Sequence, residues 1–112
     1  NFFIHSCGKI ETLLPYFIEA GIDVVQPLQA STGMDVIHLK EQYKKQLTFW
    51  GNISVMKLSG SYKNIEEEIK SKITKAMQGG GYIYHSDHSV PPSVTLDKYI
   101  YAMKMLDKYG RY

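Results

Sequence analysis

His5 and Cys7 have the types and the spacing of a metal-binding pair. In an extended chain, residues i and i+2 point to the same side, so an imidazole nitrogen and a thiolate sulfur converge on one point. These donors suit zinc best. The pair alone leaves a zinc ion short of ligands, and without a third donor it reads as a structural cysteine beside a polar loop histidine. Candidate third donors stand far along the chain, at His85, Asp87 and His88. Strand alternation sets His85 and Asp87 on one side and His88 on the other. Asp87 and His88 are also the candidate catalytic groups of that cluster, since both can carry a proton. His85, Gln26, Gln29 and Asn52 are candidate substrate contacts. The three amides can orient a polar substrate, and loop packing explains them equally well. Asp87 has a second reading, as a brace for the Ser89–Pro92 loop. Ser6 and Ser54 lack a base within their own motifs, so serine nucleophile chemistry is poorly supported.

These residues share one context. Phe2-Phe3-Ile4 runs into His5-Ser6-Cys7-Gly8, and Val24-Val25 into Gln26-Pro27-Leu28-Gln29. Leu47-Thr48-Phe49-Trp50 runs into Gly51-Asn52-Ile53-Ser54, and Tyr82-Ile83-Tyr84 into His85-Ser86-Asp87-His88. Each apolar run predicts a strand, and each polar cluster a loop at its C-terminal end. A segment of helical period follows each one. Ile10, Leu13, Leu14, Phe17 and Ile18 predict a helix over 10–20, capped by Gly21. Val36, Leu39, Lys40 and Tyr43 predict one over 34–46, with His38 on its surface. Ile65, Ile69, Ile73, Ala76 and Met77 predict one over 65–78, opened by a capping box of Asn64 and Glu67. Leu96, Tyr99, Ile100, Met103 and Leu106 predict one over 95–109, stopped by Gly110. Gly79-Gly80-Gly81 lies before the last strand. It reads as a tight turn rather than a phosphate cradle, which needs a strand before it and a helix after it.

The order βαβαβαβα predicts an α/β fold with parallel strands buried on both sides by helices. Four consecutive β/α units are half of a (β/α)8 TIM barrel, or a small doubly wound open sheet. The barrel gathers every strand's C-terminal loop at one mouth, which is where the chemistry-bearing residues lie.

Composition narrows the function. Net charge is +2, too mild to point to nucleic acid or an anionic membrane surface. With 44% hydrophobic and 21% charged residues the chain has the makings of a packed core rather than of disorder. One cysteine allows no intrachain disulfide and fits a cytoplasmic setting. No apolar run is long enough for a membrane helix. A strand begins almost at Asn1, which we read as the C-terminal part of a longer protein.

The motifs His5-Ser6-Cys7-Gly8, Glu19-Ala20-Gly21-Ile22-Asp23-Val24-Val25 and Phe49-Trp50-Gly51-Asn52-Ile53 follow one another in order. Gly80-Gly81-Tyr82-Ile83 then runs into Asp87-His88-Ser89-Val90-Pro91-Pro92. Together they resemble the C-terminal half of the uroporphyrinogen decarboxylase superfamily, over essentially the whole chain. The resemblance implies a (β/α)8 barrel whose last four units are here, with the missing N-terminal half as their partner. One branch decarboxylates uroporphyrinogen III without metal or cofactor, and its final strand loop carries Gly-His-Gly where this chain has Ser86-Asp87-His88. The other branch comprises cobalamin-dependent methyltransferases, whose zinc is held by His-x-Cys and a later cysteine. His5 and Cys7 match that pair, and Asp87 stands at about the column of the later cysteine. Gly51-Asn52-Ile53-Ser54 replaces the family's usual Gly-Gly-Ile-Asp.

The methyltransferase resemblance implies that zinc activates a small-molecule thiol. The thiolate then takes a methyl group from methylcobalamin, a corrinoid bound at the mouth or carried by a partner corrinoid protein. That is the leading expectation. The alternatives are tetrapyrrole decarboxylation, and a catalytically inert half that self-associates as a homo-oligomer through its open sheet edges.

Overall fold

The computed structural model describes residues 1–111. Four short strands, β1 (Phe3–His5), β2 (Val24–Gln26), β3 (Thr48–Trp50) and β4 (Tyr82–Ile83), form one sheet in the order β1-β2-β3-β4. All neighbours run parallel. The helices are α1 (Leu14–Glu19), α2 (Val36–Tyr43), α3 (Val55–Leu58), α4 (Tyr62–Ala76) and α5 (Leu96–Tyr109). Single 3-10 turns at Glu11–Leu13 and Ala30–Thr32 precede α1 and α2. This is an α/β fold consistent with part of a TIM barrel. The sequential strand order contains none of the reversal that a doubly wound sheet requires.

The register explains the two faces. Ile4, Val25, Phe49 and Tyr82 are aligned across the sheet, and the last three are buried. This row packs on the helices with Leu14, Leu39, Ile65, Ile69 and Ile73. Burying each such side chain contributes about 1.5–3 kcal/mol. The alternate row, His5, Gln26, Trp50 and Ile83, lies on the opposite face with Phe3, and none of these five is buried. Phe3 is 62% exposed. The sequence reading of strands covered on both sides is therefore corrected: helices cover one face, and the other is open. Short apolar runs do not tell a doubly covered strand from one whose second face lines a barrel interior.

Local chemistry sets the helix limits. Pro15 stands in the first turn of α1, where its missing N–H costs nothing, so the expected helix over 10–20 divides into a 3-10 turn and a short α-helix. The expected box at Asn64 is also corrected. Helix α4 begins three residues earlier, and the Ser61 side chain accepts from the Asn64 N–H. Thr95 caps α5 in the same way, through Lys98. The long helices α4 and α5 are clamped at Glu66, which accepts from Tyr109 Oη (2.5 Å), Lys108 Nζ (3.1 Å) and Tyr101 Oη (3.3 Å). The Tyr109 hydrogen bond first, and Lys108 second, hold the Glu66 carboxyl below its usual pKa of 4.5.

Gly51, just past β3, has φ +122, and an added Cβ would lie 2.1 Å from the Pro27 carbonyl oxygen. Gly51→Ala should therefore destabilise the fold by about 3 kcal/mol or more. Gly33→Ala, at φ +88 with nothing within 4 Å, should cost only about 1–2 kcal/mol. Urea midpoints compare the two. The Glu66 clamp adds a pH dependence. A carboxyl whose pKa is lowered by folding stabilises above its unfolded value, and that contribution is lost as pH falls through the folded value. The stability difference between the parent chain and Glu66→Gln should thus narrow as unfolding is measured from about pH 6 down to about pH 3.

Candidate functional site

The loops that follow the four strands meet at one end of the sheet, and three side chains tie them together. Asp87, in the loop after β4, is 3% exposed. Its Oδ2 accepts from Ala30 N and its Oδ1 from Val55 N, both at 2.9 Å. One carboxylate thus joins the loops after β2, β3 and β4. Asn52, after β3, is fully buried with φ +69. Its Nδ2 donates to the carbonyls of Leu28 and Met34 (2.8 Å each), and its Oδ1 accepts from Val36 N at 3.1 Å. Gln29 accepts from Gly8 N at 2.9 Å through Oε1, which ties in the loop after β1. The Asn52 carbonyl in turn accepts from Lys72 of α4, whose ammonium lies 2.5 Å from Glu68 Oε1. The same Glu68 oxygen accepts from Ser54 N at 2.9 Å.

Within this frame, a cavity of about 120 Å³ is lined by His5, Cys7, Gln26, Pro27, His85, His88 and Ser89. His5 donates from Nδ1 to Gln26 Oε1 at 2.8 Å. That bond makes Nε2 the acceptor of the ring, and the Cys7 Sγ–H donates to it at 3.5 Å. Two donors on one tetrahedral zinc ion, with bonds of about 2.0 and 2.3 Å, stand about 3.5 Å apart. The His5–Cys7 pair thus has the separation that such an ion imposes, and Gln26 supplies the outer hydrogen bond that orients a ligating imidazole. His85 donates from Nδ1 to the Ser86 carbonyl at 2.7 Å. It stands edge-on to Trp50, with ring centroids 5.9 Å apart, and Phe3 lies 5.8 Å from Trp50 on the open face.

The structure sorts the residues singled out in the sequence. His5, Cys7, Gln26, His85 and His88 share the cavity. Gln29, Asn52 and Asp87 do not line it. Asn52, considered as a substrate contact, spends its amide on three backbone partners. Asp87, considered as third metal ligand and as a catalytic group, is buried on two backbone N–H groups of other loops. Rather than bracing the Ser89–Pro92 loop, it braces the loops after β2 and β3. Among the described residues no group of three His, Cys, Asp or Glu side chains is placed to hold a metal ion. Pro27 and Ser89 line the cavity without having been singled out. The signal for Pro27 was its place directly after Gln26; Ser89 lay in the same loop as His88 and carried no signal of its own.

No helix among the described residues is long and apolar enough to cross a membrane. The family model for uroporphyrinogen decarboxylase (URO-D) matches residues 1–109. Comparison with curated proteins finds no match.

Hydrogen bonds to a charged acceptor contribute about 1.5–3 kcal/mol each. Asp87→Asn keeps the size of the side chain but turns an NH2 toward one of the two backbone donors. It should lower stability by about 2–4 kcal/mol, while His88→Asn, on the cavity wall, should change it by less than about 1 kcal/mol. Denaturant unfolding of the two variants checks the contrast.

Proposed function

Because the chain belongs to the uroporphyrinogen decarboxylase family, we propose that it forms part of the mouth of a barrel enzyme of the corrinoid-dependent methyltransferase type. In this reading His5 and Cys7 hold a zinc ion that receives a thiol substrate. The observation that carries it is the 3.5 Å separation of His5 Nε2 and Cys7 Sγ, with Gln26 fixing the imidazole. These two residues fit two positions of a zinc ion; His85 and His88 line the same cavity but do not stand with them as a third donor in this structure. When bound, zinc lowers the pKa of a coordinated thiol, which makes the thiolate available near neutral pH.

The chain's own residues supply position. Gln26 holds His5 in the tautomer that presents Nε2. Asp87, Asn52 and Gln29 hold the loops, so that residues more than 80 positions apart face one cavity. Phe3 and Trp50 offer an apolar wall on the open sheet face, where a corrinoid or other large planar partner would exclude water. We also propose that further parallel strands complete the mouth, pairing with the open edges of β1 and β4.

One observation favours the decarboxylase reading instead: the described residues present no three-donor group. There the cavity histidines and Gln26 would bind the acidic side chains of a tetrapyrrole.

Zinc analysis of the purified protein tests the choice. The methyltransferase reading expects about one tightly held zinc per chain, lost in Cys7→Ala and in His5→Ala. Gln26→Leu should weaken zinc binding about 10–100-fold while the protein stays folded. A folded protein that takes up no zinc at micromolar concentration overturns the metal site and leaves the decarboxylase reading.

A further inference from the structure

The end of the sheet opposite the His5–Cys7 mouth carries a second constellation. A cavity of about 410 Å³ is bounded by Lys40, Lys44 and Lys45, which lie on or just past α2, and by the turn Gly79–Gly81. The three glycines are consecutive and left-handed, with φ of +73, +75 and +72. No carboxylate pairs with any of the three lysines among the described residues. The Lys40 ammonium donates to the carbonyls of Gln78 and Gly80, which holds the glycine turn against α2. Partial burial desolvates the Lys40 ammonium and lowers its pKa. Gly80 N donates to the Met77 carbonyl, whereas the N–H groups of Gly79 and Gly81 have no backbone acceptor among the described residues. The adjoining cavity, which shares Lys40, brings one carboxylate, Glu41, and one more ammonium, Lys75. The local balance is strongly positive.

Like charges gathered around one opening repel, and a multiply charged anion relieves that repulsion. The volume lies within the range of small-molecule sites, about 300–1,000 Å³, and exceeds the needs of a single carboxylate. We propose that this cavity is a binding site for a small diphosphate-type anion, held by the ammonium groups of Lys44 and Lys45 beside the Gly79–Gly81 turn. Lys40 serves as its structural floor. The arrangement differs from a phosphate cradle built on a strand-to-helix loop: here the turn leads from a helix into a strand, and Lys44 and Lys45 come from the turn that ends α2. Because the site lies at the far end of the strands from His5 and Cys7, its occupant takes no part in the chemistry of the mouth. It pins the end of α2 to the turn that enters β4.

The test is a titration with inorganic pyrophosphate, followed by thermal unfolding, with ionic strength held constant by sodium chloride. The proposal expects a saturable rise in Tm. Lys44→Gln with Lys45→Gln should weaken the apparent affinity at least ~10-fold. The control pair Lys57→Gln with Lys104→Gln, two exposed lysines elsewhere, should leave it unchanged. Isothermal titration of the same proteins, with circular dichroism as a check on folding, reads the affinity directly. Absence of a rise beyond the chloride control overturns the proposal, as does a rise that survives unchanged in the Lys44 and Lys45 variant.

Discussion

The structure turns on the carboxylate of Asp87. A buried charge is tolerated only where it is hydrogen-bonded, and here both oxygens accept backbone N–H groups, from Ala30 and from Val55. Those donors open the segments that follow β2 and β3, while Asp87 itself follows β4. Loops have little reason of their own to converge, since each is free to satisfy its backbone with water. A single acceptor shared between them removes that freedom. Asn52 repeats the device with a neutral amide, and Gln29 extends it to the loop after β1. These hydrogen bonds hold in place the loops around the cavity beside His5 and Cys7.

The sheet provides the second constraint. Its register places Ile4, Val25, Phe49 and Tyr82 in one row against the helices, and His5, Gln26, Trp50 and Ile83 in the row behind. One residue of slip in any strand would exchange the two rows. The same alternation that buries Val25 therefore presents Gln26 to His5, so the packing of the core and the orientation of the imidazole are set together. Buried side-chain polar atoms within the described residues all have a partner, in keeping with a frame whose hydrogen bonds are committed before any ligand arrives.

How much of this could be read in the sequence follows from how local each cause is. The strands were legible because each is an apolar run bounded by polar residues, and α5 was legible because its period and its Gly110 end agree. The convergence of His5 and Cys7 was legible because a two-residue spacing in extended backbone decides it. The start of α4 was misplaced because Asn64 and Glu67 imitate a capping box inside a helix that Ser61 had already capped. The open face was missed because short strands look the same whether one face or two are covered by helices. The work of Asp87 and Asn52 was hidden for a different reason. Their polarity at strand ends suggests a substrate, and only the fold reveals backbone partners as far away as 57 positions.

The side chains that knit the loops together, Asp87, Asn52 and Gln29, are not the ones that line the cavity, apart from their shared location. Frame and cavity wall are separate sets of residues. His5, Cys7, His85 or His88 can therefore be exchanged for other groups without loosening the loops that carry them. The cavity wall is then a replaceable lining, whose residues can change while the brace behind them stays in place.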